Sequence, residues 1–207
     1  MNTNLDVNNK VFLQGEVNSV PELNHKVKDE EFYSFNLKVD RLSGQSDFIP
    51  IIIPKFYLDY KPLKIGNKIS VKGQFRSYNK LEDGKTKLLL SVYAKEIGDW
   101  IENVNSNVIE LDGFICKPVI YRGTPFGREI SDVLLAVNRN YNKSDYIPCI
   151  AWGTNAQIAK TLQVPTRIKI IGRIQSRPYN KKENDVSIVK IAYEVSISKL
   201  IEPNLEN

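Results

Sequence analysis

The chain has 207 residues, 42% hydrophobic and 26% charged, with a formal net charge of +5. That length permits one large domain or two of about 100 residues, and that balance excludes a disordered chain. No apolar run approaches the roughly 18 residues a spanning helix needs, and Met1–Asp6 lacks the basic-then-apolar pattern of a secretory signal, so the expected setting is cytosolic, with no membrane.

The elements follow in chain order. Val11, Leu13 and Gly15 alternate with Phe12, Gln14 and Glu16, the period of a half-buried strand. Phe35, Leu37 and Val39 alternate with Asn36, Lys38 and Asp40; Ile69 and Val71 lead into Gly73; and Leu88, Leu90 and Val92 recur at every second position. Between them Lys55–Tyr60 is a poor helix former. The pattern then restarts. Asn9–Val17 returns as Asn107–Ile115, Leu37–Arg41 as Leu135–Arg139 and Asp47–Pro50 as Asp145–Pro148, all at an offset of 98, while Gly73–Ser77 returns as Gly172–Ser176 at 99. This is a duplicated unit. The joint falls near Gly98–Ser106 and predicts domains at residues 8–99 and 107–201. In the second unit Val133–Val137, Arg167–Gly172 and Val189–Ile197 read as strands, and Asn155–Leu162 reads as a helix capped by Thr154 or Asn155.

Each unit thus reads as all-β, five strands with a short helix between the third and fourth, which is the order of an OB-fold barrel. Gly15 and Gly113 stand late in the first strand, where a strand serving both sides of a small barrel must bend. Cys116 and Cys149 are far apart and outside any CxxC spacing, so both read as buried free thiols. His25 has no second histidine to share a metal. There is no phosphate-binding glycine loop, serine-hydrolase elbow or HExxH motif, so no catalytic residue, metal or cofactor is expected.

Rings interleaved with arginines remain. Single-strand binding needs flat rings for bases and cations for phosphates. In Asp145–Gly153, Tyr146 and Trp152 are an even number apart and share one face, while Ile147, Cys149 and Ala151 take the other. Such rings either stack bases or cover an interface. Pro148, repeated as Pro50, predicts an edge or bulge. The loops add Tyr121, Arg122, Phe126 and Arg128 after the first strand, Arg139 and Tyr141 after the second, and Arg173, Arg177 and Tyr179 at the fourth. Each loop is also compatible with simple solvation.

At Leu111–Gly113, Pro118, Thr124–Gly127, Leu134–Asn138, Tyr146–Gly153 and Ile170–Arg177, the second unit resembles the bacterial single-stranded DNA-binding protein family. The resemblance implies base stacking by Tyr141, Tyr146, Trp152 and Tyr179. It also implies a partner, single-stranded DNA, and a homodimer that brings four OB-folds together. The first unit matches less well. Phe48 stands at the position of Tyr146, with Arg41, Arg76 and Tyr78 completing its candidate set, but Pro54 stands at that of Trp152 and its first hairpin, Glu22–Glu31, lacks the ring and arginine pattern. This unit is expected to bind more weakly or to serve assembly. Ile201–Asn207 does not spell the acidic tail tipped by Asp and Phe that family members use for recruitment. A replication adaptor and a single-stranded RNA binder are the competing readings.

Overall fold

The computed structural model describes residues 8–201 apart from 83, 126, 184 and 185. The period-2 segments form strands, and the second half repeats the first. The first half runs β1 (Asn9–Val17), β2 (Glu22–Val27), β3 (Glu30–Asp40), β4 (Ser46–Pro54), α1 (Lys55–Tyr60), β5 (Lys68–Glu82) and β6 (Lys85–Asp99). The second runs β7 (Asn107–Ile115), β8 (Ile120–Gly123), β9 (Glu129–Asn138), β10 (Ser144–Trp152), α2 (Thr154–Thr161), β11 (Arg167–Glu183) and β12 (Val186–Ile201).

Each half therefore has six strands among the described residues, not five, and its helix follows the fourth. The added strands are β2 and β8, which pair with the first part of β3 and β9. Their side chains are mostly exposed on both faces. A strand wet on both sides has no apolar alternation, so it reads as a loop.

Within the first half β1 pairs with β3 and β5, β5 with β6, β6 in parallel with β4, and β4 with β3, a closed circuit. The second half repeats it through β7, β9, β10, β12 and β11. Leu13, Leu37, Ile49, Ile51, Val71 and Phe75 fill the first interior, and Leu111, Leu135, Ile147, Ile170, Ile174 and Val195 the second. The bend expected at Gly113 is where β7 reaches β9: a Cβ there would lie 2.5 Å from the Ala136 carbonyl oxygen, and Gly15 meets Lys38 in the same way. The helix α2 starts from Gly153, not from a side-chain cap on Thr154 or Asn155. The chain turns straight out of β10 with φ +52 at that residue, a conformation glycine adopts without steric cost.

The halves join through β1 and β7, which pair antiparallel from Asn9↔Leu111 to Leu13↔Asn107. Val11 faces Ile109, its own repeat equivalent, so the register is symmetric about that pair. Two asparagine clasps tie the starts of β1 and β7 to β5 and β11 within their own halves. Asn9 Nδ2 donates to the Phe75 carbonyl while Asn9 Oδ1 accepts from the Phe75 N–H, and Asn107 does the same to Ile174. Gln14 likewise grips the backbone of Ile101 in the link between the halves.

Candidate nucleic-acid interface

Strand β10 behaves as its alternation requires. Ile147, Cys149 and Ala151 are buried, while Tyr146 and Trp152 are 45% and 36% exposed. Trp152 stands opposite Ile130, and Tyr146 opposite Ala136. Pro148 precedes the short parallel ladder that β10 makes with β12 at Cys149 and Ile150. The edge before it faces the first half, where the Tyr146 N–H donates to Ser77 Oγ at 2.7 Å.

Tyr179 lies on the β11–β12 hairpin opposite Lys190 and is 38% exposed. Alternation puts Arg177, Tyr179 and Lys181 on one face, and Arg177 Nε lies 3.5 Å from Glu194. Tyr141 is 94% exposed in the β9–β10 loop, where Tyr141 and Asn142 both have positive φ. Left-handed backbone is strained for a tyrosine, and such strain concentrates at functional sites.

The loop after β7 is more tied down than its composition suggests. Tyr121 donates its hydroxyl to Glu129 and accepts from Gln157 Nε2, and Lys160 Nζ sits 4.2 Å from its ring centroid. Arg122 grips both oxygens of Asp132 at 2.8 and 3.2 Å. Arg128 is exposed and has no ion-pair partner among the described residues. Phe126 and the tail at 202–207 lie outside those residues.

Four of the candidate arginines meet at the junction between the halves. Asp47 is fully buried and accepts from the Ser176 N–H at 2.6 Å, from Arg41 Nε at 2.7 Å and from Arg173 at 3.4 Å. Asp145, equally buried, accepts from the Ser77 N–H at 2.8 Å, from Arg76 at 3.0 Å and from Arg139 at 3.3 Å. Each aspartate thus balances one of its two arginines and leaves a net positive charge. Donating to Asp47 holds the Arg41 guanidinium above its ordinary range, while burial and then the neighbouring Arg41 push Arg173 down. Guanidinium starts so high that both stay cationic at neutral pH.

The sequence carries a signal for both aspartates. Each stands on the inward parity of its strand, one residue before Phe48 or Tyr146, in both copies.

In the first half Phe48 is 37% and Tyr78 39% exposed. A ring cluster unanticipated from sequence lies beside them. His25 stacks on Phe32 with centroids 4.8 Å apart and planes within 3°, and Tyr93 sits 6.2 and 6.3 Å from the two rings. Cys149 is buried as expected; Cys116 is half-buried, its Sγ donating to the Leu134 carbonyl.

No group of three or more His, Cys, Asp or Glu that could hold a metal occurs among the described residues, and no helix among them is long and apolar enough to cross a membrane. The profile of the single-strand binding protein family matches residues 106–200. Single-stranded DNA-binding protein 2 of Listeria monocytogenes is 30% identical over 109 residues, covering 49% of this chain and 67% of that one. Single-stranded DNA-binding protein 3 of Streptococcus agalactiae is 32% identical over 84 residues, covering 37% of this chain and 61% of that one. For the single-stranded DNA-binding protein of Enterococcus faecalis the share is 45% of its length. The wild-type single-stranded DNA-binding protein from Thermus aquaticus has a similar fold, with a TM-score of 0.76 at 21% identity over 96% of this chain and 94% of that one. With the Listeria relative matched over two thirds of its length, the chain belongs to the single-strand binding protein family.

Proposed function

We propose that this protein binds single-stranded DNA without sequence preference and without catalysis, through two OB-type barrels at residues 8–99 and 107–201. The closed pairing circuits around two apolar interiors support the barrel reading. The observation that carries the binding reading is the face of β10, where Tyr146 and Trp152 stand exposed over a buried strand. Aromatic rings that keep a third or more of their surface open on a strand face can serve as platforms for bases. Tyr141 and Tyr179 extend that platform, with Tyr121 and Phe126 at its margin and Phe48 and Tyr78 as counterparts in the first half.

Arg122, Arg128 and Arg177 are the proposed phosphate contacts at the rim. Arg41, Arg76, Arg139 and Arg173 add the uncompensated charge of the junction, since their side chains keep between 22% and 38% exposure. A homodimer carrying four barrels and a cytoplasmic site of action complete the proposal. The exposed Leu81, Val189 and Ile191 on the backs of the two long hairpins support self-association.

A titration tests the central claim. In a Trp100→Phe background, oligo-dT should quench Trp152 fluorescence. Affinity should fall with salt by a log–log slope of about 0.7 per phosphate contacted. Absence of quenching, or equal affinity for duplex, refutes the reading. An oligo-U arm reports any preference between DNA and RNA, and sedimentation equilibrium reports the dimer.

A further inference from the structure

Pro54 stands where the second half has Trp152, and by position alone the first half has lost a stacking ring. The strand register gives a different result. Trp152 faces Ile130 across β10 and β9, and Pro54 faces Phe32 across β4 and β3. Phe32 and Ile130 are repeat equivalents, as are Pro54 and Trp152. The ring has crossed to the neighbouring strand and occupies the same cross-strand pair.

Phe32 is not alone there. His25 lies opposite it on β2 and stacks on it face to face. Tyr93 reaches the pair from β6, its hydroxyl 3.4 Å from His25 Nε2. His25 Nδ1 lies 2.8 Å from Asn24 Oδ1, so both ring nitrogens have a hydrogen-bonding neighbour. This chain of bonds orients the imidazole. All three rings are partly exposed, on a half whose interior is already filled by Phe75, Leu37 and Ile51.

Alternation places Tyr93 on the same outward face as Gln74, Arg76 and Tyr78. Burial raises Tyr93 above the ordinary phenol range, with Tyr78 and Asp145 adding to that and Arg139 and Arg76 opposing it, so the junction cations lie within its field.

We propose that His25, Phe32 and Tyr93 form a second, independent base-stacking site for single-stranded nucleic acid on the outer face of β2, β3 and β6. The inference rests on the single-strand reading above and gives the first half a ring site separate from Phe48 and Tyr78. The rings take a base, and the junction arginines take the phosphates leading toward the second half.

Photocrosslinking of the full chain tests it. Oligo-dT with scattered 5-iodouracil is bound, irradiated and mapped by mass spectrometry. Crosslinks at His25, Phe32 or Tyr93, beside those at Tyr146 or Trp152, are the expected result. Crosslinks confined to the second half, or to Phe48 and Tyr78 in the first, overturn this proposal and leave single-strand binding by the second half standing; no binding by the wild-type chain defeats the function itself. A second measurement uses a Tyr141→Ala/Tyr146→Ala/Trp152→Ala/Tyr179→Ala background, where the remaining stacking affinity should belong to the first half. Adding His25→Ala and Phe32→Leu, with folding checked by circular dichroism, should lower that affinity about tenfold, within the roughly 5- to 150-fold that one stacked base supplies. An unchanged constant, or no affinity left in the background itself, overturns the proposal.

Discussion

Replacing Asp145 by Asn tests how the two halves are held together. The carboxylate is fully buried, and three groups depend on it: the Ser77 N–H, Arg76 and Arg139. Removing one partner of a buried ion pair costs about 3–5 kcal/mol, because the remaining charge stays desolvated. Two features reduce the expected loss. Asparagine keeps a carbonyl oxygen for the Ser77 N–H. The two guanidiniums retain 22% and 34% side-chain exposure, so water takes up part of their charge. The expected loss is about 2–3 kcal/mol, a large share of the 5–15 kcal/mol typical of a folded domain. Urea denaturation followed by circular dichroism reads this as a midpoint lowered by about 1 M, for a slope of 2–3 kcal/mol/M. Arg76→Ala in the same chain should then cost less than it does alone, because the pair is already broken. A loss under about 0.5 kcal/mol with additive effects would refute the reasoning and leave the β1–β7 ladder and the Asp47 cluster to hold the junction.

Gly113→Ala should destabilise by about 1–3 kcal/mol or more in thermal denaturation, since its Cβ meets the Ala136 carbonyl in a strand crossing that has no room to relax. The Cys149 thiol is pushed up by burial and then by Glu194, and Cys116 is raised by burial, so a thiol reagent at pH 8 should spare Cys149 and label Cys116 slowly until denaturant is added. Hydrogen bonds from Tyr121 and then Gln157 hold Glu129 below the ordinary glutamate range. The stability this adds is present above that range and is lost as pH falls through the lowered value, so Tyr121→Phe should flatten the acid limb of a stability–pH profile. Arg139→Ala should lower stability and, where the arginine also meets phosphate, reduce the salt slope of oligo-dT binding by about 0.7.

Much of the molecule was legible because duplication supplies an internal control. A single glycine in a strand is weak evidence, but Gly15 and Gly113 at one offset foretold the bend that the close approach to Lys38 and Ala136 requires. The alternation of β10 foretold which side of the strand is buried. Other features were hidden for physical reasons. Strands β2 and β8 carry little buried surface, so no periodicity marks them. The pairing of β1 with β7 needs both edges brought together in space, which no local pattern encodes. The four arginines read as phosphate contacts because their sequence neighbours are polar loops, whereas their aspartates come from the far side of the junction or several residues along the chain. An aspartate on the inward parity of an apolar strand was the available clue, since a buried carboxylate must find cations or hydrogen-bond donors.

The two halves also show that a face can keep its chemistry while its residues change places. Trp152 and Ile130 on one side become Pro54 and Phe32 on the other, the ring moving across a strand pair. At the junction Arg173 donates to Gln175 in the second half, and Arg76 donates to Gln74 in the first, so arginine and glutamine have exchanged positions along one strand. In both cases the exchanged residues point to the same side of the sheet, and the arginine still reaches the aspartate of the opposite half. Side chains two apart on a strand, or directly opposite across a ladder, share one patch of surface, and a base or a carboxylate meets that patch, not an alignment column. Position by position the first half looks depleted, whereas by cross-strand pair each half carries a ring at the same place. The unequal sequences of the two copies are compatible with two working sites, and photocrosslinking on the first half is the measurement that separates an exchanged site from a lost one.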